Sequence, residues 1–208
     1  MYDQRVMDGI DCGVTAFVLA GGKSSRMGSD KAFLRLGEGT LLSQALKVAG
    51  AVAAEVRIVG DAKKFAGFGK VVEDVYLDRG PLGGIHAALS SSATEWNLMM
   101  AVDLPFAEPE FLRYLLLRAR ESSAIITVPR AGGGLQPLCA VYRRKFAEVA
   151  ERSLRDGRNK IDPLFAKVET CVIEEDELLR LGFSVEMFRN LNTPEELEKA
   201  KGLGTGRS

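Results

Sequence analysis

The sequence has few of the cysteines and histidines that build disulfide frameworks and zinc sites, and its apolar runs are short. It contains three cysteines, Cys12, Cys139 and Cys171, and a single histidine, His86. An odd number of well-separated cysteines supports neither a disulfide framework nor a zinc site, and it favours free thiols in a reducing compartment. No apolar run reaches the length of a membrane-spanning helix, and the N-terminus lacks the apolar core of a signal peptide. We therefore expect a cytoplasmic protein with no membrane partner.

A surplus of charge of either sign is also absent. The 208 residues include 28 Lys and Arg and 28 Asp and Glu, so the formal net charge is zero. Such a chain has no global field that attracts nucleic acid, and an anionic ligand needs a local binding site. The content of 46% hydrophobic and 27% charged residues is typical of a globular protein of one large domain.

Apolar runs and helical patterns alternate through most of the chain. Short apolar runs predict strands at residues 14–20, 56–59, 71–72, 96–102, 124–128, 135–142 and 171–173. A helix with Thr40 as its N-cap is predicted over positions 41–53, and Pro81 and Pro109 mark two further helix starts. This alternation predicts an α/β fold, a single-domain Rossmann-like three-layer sandwich with a mostly parallel sheet and helices on both faces. In such sheets, ligands bind at the carboxyl ends of the strands.

The most informative stretch follows the first predicted strand and reads L-A-G-G-K-S-S-R-M-G-S-D-K over residues 19–31. Gly21 and Gly22 allow a sharp turn with exposed N–H groups, and three cations follow, Lys23, Arg26 and Lys31. Exposed N–H groups and cations at the end of a strand are typical of a phosphate-binding loop. The Walker string G-x-x-x-x-G-K-[ST] and the dinucleotide string G-x-G-x-x-G are both absent, so two common phosphate sites are excluded.

A carboxylate ends the most hydrophobic predicted strand, because Asp103 directly follows Ala101 and Val102. A lone carboxylate in apolar surroundings is costly unless it meets a cation or hydrogen-bond donors. Magnesium is usually held by one or two carboxylates together with the phosphates of a substrate. Asp103 is therefore the candidate ligand for Mg²⁺, and the alternative is a cap for the turn that follows it.

The glycine-rich stretch resembles the signature loop of the nucleotidyltransferases that activate small molecules, and most closely that of the molybdenum cofactor guanylyltransferases. Four further segments match: Asp74, the string G-P-L-G-G-I from Gly80, D-L-P from Asp103, and N-L-N-T-P from Asn190. The similarity implies a nucleotidyltransferase domain over residues 14–201, an N-terminal extension over 1–13 and a tail over 202–208 that we expect to be disordered.

The resemblance implies an activity and a set of site residues. The expected reaction is transfer of GMP from GTP to molybdopterin with Mg²⁺, and molybdoenzymes or other proteins of the cofactor pathway are further expected partners. Catalytic roles are implied for Lys31, Asp103 and Arg26, with Asp103 as the metal ligand. Nucleotide contacts are implied for Leu19, Ala20, Gly21, Gly22, Lys31, Asp74, Gly80 and Asp103. Acceptor contacts are implied for Asn190, Asn192 and Arg158.

Several alternatives stay open at this point. Members of the family often have an asparagine after the second strand that contacts the guanine nucleotide, whereas this chain has Gly60 and Asp61. A related enzyme that uses CTP or a sugar-phosphate acceptor, or a non-catalytic nucleotide-binding chaperone for molybdoenzymes, is therefore also considered. The N-L-N-T-P string favours a molybdenum cofactor enzyme over a sugar enzyme. The combination of Lys31, Asp74 and Asp103 argues for catalysis over simple binding.

Overall fold

A computed structural model describes residues 11–21 and 31–190, without the side chain of Cys12. The strands are β1 (Asp11–Leu19), β2 (Arg35–Leu36), β3 (Gly39–Thr40), β4 (Ala53–Val59), β5 (Lys70–Val72), β6 (Trp96–Ala101), β7 (Ile126–Ala131), β8 (Gly134–Leu135), β9 (Cys139–Arg143) and β10 (Thr170–Ile173). The α-helices are α1 (Leu41–Gly50), α2 (Ala62–Phe65), α3 (Gly80–Ser91), α4 (Pro109–Glu121), α5 (Phe146–Arg155), α6 (Asp162–Phe165) and α7 (Glu175–Arg180). Short 3₁₀ helices lie at Lys31–Phe33 and Val185–Phe188.

The central sheet is mostly parallel, as predicted. Its strands follow the order β10-β7-β9-β6-β1-β4-β5, and β8 joins the edge of β7. β1 runs parallel to β4 and β6, β4 to β5, and β7 to β10. β9 is antiparallel to both of its neighbours, β6 and β7.

Helices cover both faces of the sheet. α1, α4 and α7 contribute to one buried cluster, and α3, α5 and α6 contribute to the other. In β1, Val18 belongs to the first cluster and Phe17 to the second, because successive side chains of a strand point to opposite faces. The predicted three-layer α/β architecture is thus confirmed. No helix within the described residues is both long and apolar enough to cross a membrane.

Local sequence signals set the starts of several helices. Thr40 caps α1, because its hydroxyl accepts a hydrogen bond from the Ser43 N–H at 3.1 Å and its own N–H donates to the Ser43 hydroxyl at 2.8 Å. Pro81 and Pro109 lie in the first turns of α3 and α4, where a missing N–H costs nothing. These three predicted helix starts are confirmed.

Three predicted elements differ from the structure, and one of them, the strand predicted over 124–128, is found as β7 and begins only at Ile126. α1 ends at Gly50, and Ala53, predicted to be helical, begins β4 because that strand pairs with β1 from Asp11 onward. The predicted strand over residues 135–142 is divided into β8 and β9. Between them lies a turn in which the Cys139 N–H donates to the carbonyl of Gln136 at 3.0 Å. Pro137 has no N–H to donate to a strand ladder, so the ladder is interrupted there.

Candidate active site

The carboxyl ends of four parallel strands meet at one edge of the sheet. These strands, β1, β4, β5 and β6, end at Leu19, Val59, Val72 and Ala101. Their parallel pairing brings the segments that follow them to the same edge. Those segments carry Gly21, Gly60, Asp74 and Asp103. The edge therefore gathers residues from distant parts of the sequence, including three of the predicted nucleotide contacts.

The end of β1 is fixed between its two neighbouring strands. The N–H groups of Ala20 and Gly21 both donate to the carbonyl of Val59, at 2.9 and 3.0 Å. On the other side, the Val102 N–H donates to the carbonyl of Leu19 at 3.1 Å. Gly21 itself is exposed. Gly21 thus lies exposed at a fixed strand end, but its N–H is bonded to Val59, so the free N–H expected at this position is not found.

Gly60 is part of this edge, although the sequence drew attention to it only as a departure from the family pattern. A Cβ atom at Gly60 would lie 2.8 Å from Cε2 of Phe65 and 3.4 Å from the nitrogen of Gly21. Phe65 is buried, and its ring packs against that of Phe33 with centroids 5.7 Å apart. A glycine directly after a parallel strand was the signal in the sequence for this close packing.

Replacing Gly60 with alanine is expected to destabilise the protein. The new Cβ would overlap the buried Phe65 ring, and overpacking of this kind costs about 1–3 kcal/mol. Chemical denaturation monitored by circular dichroism measures the loss. Gly50→Ala is the matched control, because a Cβ at Gly50 meets no atom within 4 Å. Equal stability of the Gly60 and Gly50 variants would show that the Phe65 ring does not require the glycine.

The structure brings Lys31 and Asp103 together at the edge. Lys31 opens the 3₁₀ helix that follows the glycine-rich stretch, and Asp103 lies in the turn after β6. The Lys31 ammonium donates to Oδ2 of Asp103 at 3.5 Å, and each side chain is only 21% exposed. Partial burial weakens solvent screening, so each charge favours an oppositely charged neighbour. The negative charge of a phosphate attracts the Lys31 ammonium, and a metal ion bound to that phosphate attracts the Asp103 carboxylate.

Asp74 lies at the same edge, beside the first turns of α3. Its Oδ1 would be 3.5 Å from a Cβ at Gly84, and that Cβ would lie 3.6 Å from Leu19 Cδ2. Oδ1 is buried and has no hydrogen-bond partner among the described residues. Burial raises the pKa of this carboxyl above its ordinary value of 3.8. Oδ1 is thus a buried acceptor without a partner in the described part of the chain, and such an atom is uncommon in folded proteins.

The raised pKa of Asp74 predicts that ionisation of this carboxyl at higher pH lowers the stability of the folded protein. The folded protein holds the proton more tightly than the unfolded chain, so stability falls as the pH rises from 3.8 through the raised pKa. We expect Asp74→Asn to melt about 1–3 °C above the wild type at pH 7. The difference should shrink as the pH is lowered through the raised pKa toward 3.8, because Asp74 then becomes protonated and uncharged. Scanning calorimetry across this range tests the prediction, and a lower melting temperature of Asp74→Asn at pH 7 would contradict it.

The predicted acceptor residues occupy two different places. Phe188 packs edge-to-face on Phe111, in the first turn of α4, with ring centroids 5.3 Å apart. Asn190 follows Phe188 in the chain and is exposed. Arg158 instead pairs with Asp156 and lines a cavity of about 260 Å³ bordered by α5 and α6. Arg158 thus lies beside α5 and α6, whereas Lys31 and Asp103 lie at the carboxyl edge of the sheet.

Three predicted site residues, Gly22, Arg26 and Asn192, lie outside the described residues. Within the described residues, no group of three or more His, Cys, Asp or Glu side chains is placed to hold a metal ion. The edge carries two aspartates, Asp74 and Asp103, and Asp103 is the one paired with Lys31. One or two carboxylates fit Mg²⁺, which takes its remaining oxygen ligands from phosphates and water, and do not fit a structural zinc site.

Comparison with solved structures defines the class of the fold. Molybdopterin-guanine dinucleotide biosynthesis protein A from Archaeoglobus fulgidus superposes with a TM-score of 0.81 at 24% identity, over 93% of this chain and all of the other. 2-C-methyl-D-erythritol 4-phosphate cytidylyltransferase from Thermus thermophilus superposes with a TM-score of 0.65 at 17% identity, over 91% of this chain and 98% of the other. The fold is that of the α/β nucleotidyltransferases.

Comparison of sequences defines the family. The family model described as the MobA-like NTP transferase domain matches residues 16–170, and the chain belongs to this family. A probable molybdenum cofactor guanylyltransferase from Pelotomaculum thermopropionicum is 37% identical over 93% of this chain and 96% of that protein. The molybdenum cofactor guanylyltransferase from Desulfosudis oleivorans is 35% identical over 90% of this chain and 94% of that protein.

Proposed function

We propose that the protein transfers GMP from GTP to molybdopterin, which gives the guanine dinucleotide form of the cofactor and pyrophosphate. The observation that carries the proposal is the Lys31–Asp103 ion pair at the carboxyl edge of the sheet. It places one cation and one carboxylate, both largely shielded from water, beside the exposed glycine turn of β1. Relatives that are named as guanylyltransferases align over nine tenths of the chain or more.

The reaction is an in-line displacement at phosphorus. An oxygen of the acceptor's phosphate attacks the α-phosphorus of GTP and forms a new P–O bond. The bond from the α-phosphorus to the bridging oxygen breaks, and pyrophosphate leaves with the electron pair. The attacking phosphate is already an anion, so no general base is required. Catalysis then depends on positioning and on neutralising the charge of the phosphates.

Lys31 and Asp103 have different roles in neutralising the phosphate charge. The Lys31 ammonium is placed to neutralise the negative charge that develops on the triphosphate, in a site with little solvent screening. Asp103 is the residue that would hold Mg²⁺, which when bound polarises the phosphate oxygens and screens their charge. Arg26 is assigned a supporting catalytic role by the family pattern alone. Because Lys31 and Asp103 lie 3.5 Å apart, both groups would act on the same phosphates.

The remaining site residues are assigned to the two substrates. Asp74 is assigned to the nucleotide by the family pattern, and its place at the sheet edge beside α3 supports the assignment. The other nucleotide contacts in the proposal are Leu19, Ala20, Gly21, Gly22 and Gly80. The proposed acceptor contacts are Asn190, Asn192 and Arg158, which rest on the family pattern.

Calorimetric titration with GTP, CTP, ATP and UTP, each with Mg²⁺, tests the nucleotide part of the proposal. We expect GTP to bind at least tenfold more tightly than the other three. If CTP binds most tightly, the protein would instead be a related enzyme that uses CTP, and the proposed roles of Lys31 and Asp103 would not change. Absence of binding by all four would overturn the proposal and favour a non-catalytic role.

We also place the protein in the cytoplasm. Cys139 and Cys171 are free thiols, and burial raises the pKa of Cys139 to about 12, so this thiol stays protonated and unreactive. Unpaired cysteines are typical of proteins in reducing compartments. Cell fractionation with an epitope-tagged chain tests this assignment.

A further inference from the structure

The 74–80 loop joins β5 to α3 and carries two proposed nucleotide contacts, Asp74 and Gly80. Two of its apolar side chains face water, since Val75 is 70% and Leu77 is 76% exposed. The backbone of Asp78 adopts a φ of 58°, in the left-handed region that costs energy for residues other than glycine. A loop with these features buries little apolar surface and needs an anchor to keep one shape.

Tyr76 provides an anchor on α3. Its ring meets the ring of His86 edge-on, with centroids 5.2 Å apart and an angle of 72° between the planes. Tyr76 packs against the buried cluster on this face of the sheet, and His86 is only 6% exposed. The Nε2 atom of His86 lies 3.2 Å from the hydroxyl of Ser90, one turn later in the helix, which fixes the imidazole. The ring of Tyr76 therefore rests on a surface that is itself held in place.

The backbone of Tyr76 is held by the same helix. A Cβ atom at Gly83 would lie 3.0 Å from the carbonyl oxygen of Tyr76 and 3.7 Å from Oδ2 of Asp74. Glycine at this position thus lets the loop backbone lie directly against the first turn of α3. Side chain and main chain of Tyr76 both fix the distance between the loop and the helix.

The end of α5 supports the loop from a second direction. Nε of Arg155 donates to the hydroxyl of Tyr76 at 3.4 Å, and Glu151 holds Arg155 through an ion pair of 2.6 Å. Further along the loop, Nη1 of Arg79 donates to Oδ1 of Asn159 at 3.4 Å. Two side chains of the loop therefore contact the end of α5 or the segment that follows it.

We propose that Tyr76 is a positioning residue, whose ring anchors the 74–80 loop on His86 so that Asp74 and Gly80 are held in place for the nucleotide. The inference rests on the proposed nucleotide role of this loop. Tyr76 acts through Asp74 and Gly80, because its ring is packed against His86 and its hydroxyl is bonded to Arg155.

Three variants separate this role from its alternatives. Tyr76→Ala is expected to raise the KM for GTP and its calorimetric Kd by about 5- to 20-fold, with kcat within about threefold of the wild type. Tyr76→Phe keeps the ring contact and loses only a long hydrogen bond, so we expect both constants within about twofold of the wild type. Leu77→Ala is the matched control, because it truncates a neighbouring side chain that faces water, and we expect no change.

Hydrogen exchange supplies a readout that does not depend on activity. In Tyr76→Ala, the amides of residues 74–80 should exchange faster, while those of the buried strand β6 should not change. If Tyr76→Ala does not fold, His86→Ala removes the same contact from the helix side and is expected to give the same pattern.

Distinct results would overturn the proposal. Wild-type KM and exchange in Tyr76→Ala would show that the loop needs no such anchor. A loss in Tyr76→Phe as large as in Tyr76→Ala would assign the effect to the hydroxyl rather than to ring packing, and an equal loss in Leu77→Ala would deny Tyr76 a special role. If the wild type binds no GTP, the proposed function fails, and the exchange pattern still decides whether Tyr76 anchors the loop.

Discussion

Asp103→Asn is expected to lower the rate of GMP transfer by about 10³-fold at saturating GTP and Mg²⁺. The amide has the shape of the carboxylate but lacks the charge that would hold Mg²⁺ against the phosphates. Steady-state kinetics across a series of Mg²⁺ concentrations measure the effect. GTP binding without Mg²⁺ should not weaken, because the substitution removes a negative charge from a site that receives a polyanion.

Asp176→Asn is the matched control for this substitution. Asp176 is exposed in the first turn of α7, and we expect its variant to keep wild-type kinetics. Melting curves should show Asp103→Asn folded, within about 3 °C of the wild type, because the ion pair it breaks is partly solvated. Full Mg²⁺-dependent activity in a folded Asp103→Asn variant would rule out Asp103 as the metal ligand.

Lys31→Met is expected to lower kcat/KM for GTP by about 10²-fold, the second largest effect. Methionine keeps most of the length of the side chain and removes the ammonium that faces Asp103 at 3.5 Å. Without this cation, the triphosphate loses a charge partner in the ground state and in the transition state. We therefore expect weaker GTP binding both with and without Mg²⁺, in contrast to Asp103→Asn. Calorimetry and initial-rate kinetics on the same preparation distinguish the two patterns.

Lys47→Met serves as the control for Lys31→Met, because Lys47 is exposed in the last turn of α1 and is expected to have no role in activity. Lys31→Arg keeps the positive charge and should recover part of the lost activity. If Lys31→Met and Lys47→Met had the same kcat/KM, the proposed role of Lys31 would be wrong. If Lys31→Met weakened binding only in the presence of Mg²⁺, the cation would act through the metal site and not directly on phosphate.

Much of the fold and part of the site follow from local sequence. The N-cap at Thr40 and the helix starts at Pro81 and Pro109 depend on hydrogen bonds within a few residues, so they are predictable. Parallel strands place their carboxyl ends at one edge, so Gly21 after β1 and Asp103 after β6 are expected at the same edge. The meeting of Lys31 with Asp103 across 72 positions is expected from the family resemblance, because Lys31 lies well beyond the end of β1.

Other features depend on contacts that no local pattern contains. Ala53 has a place in the helical pattern of α1 but pairs with Asp11, so the sheet decides its structure. Arg158 resembles a family acceptor residue, yet its guanidinium pairs with Asp156 two positions away, across the glycine turn at Gly157. Its acceptor role remains a prediction. The anchoring of Tyr76 on His86 likewise requires the packing of a loop on a helix, which the sequence alone does not specify.

The central claim is guanylyl transfer to molybdopterin, and transfer of label from α-³²P-labelled nucleotide tests it most directly. The wild-type chain would be incubated with molybdopterin, Mg²⁺ and either labelled GTP or labelled CTP, and the products separated by chromatography. We predict label from GTP in a dinucleotide product, with one pyrophosphate released for each transfer and with little product from CTP. Transfer from CTP instead of GTP, or hydrolysis of GTP without a labelled dinucleotide, would contradict the claim.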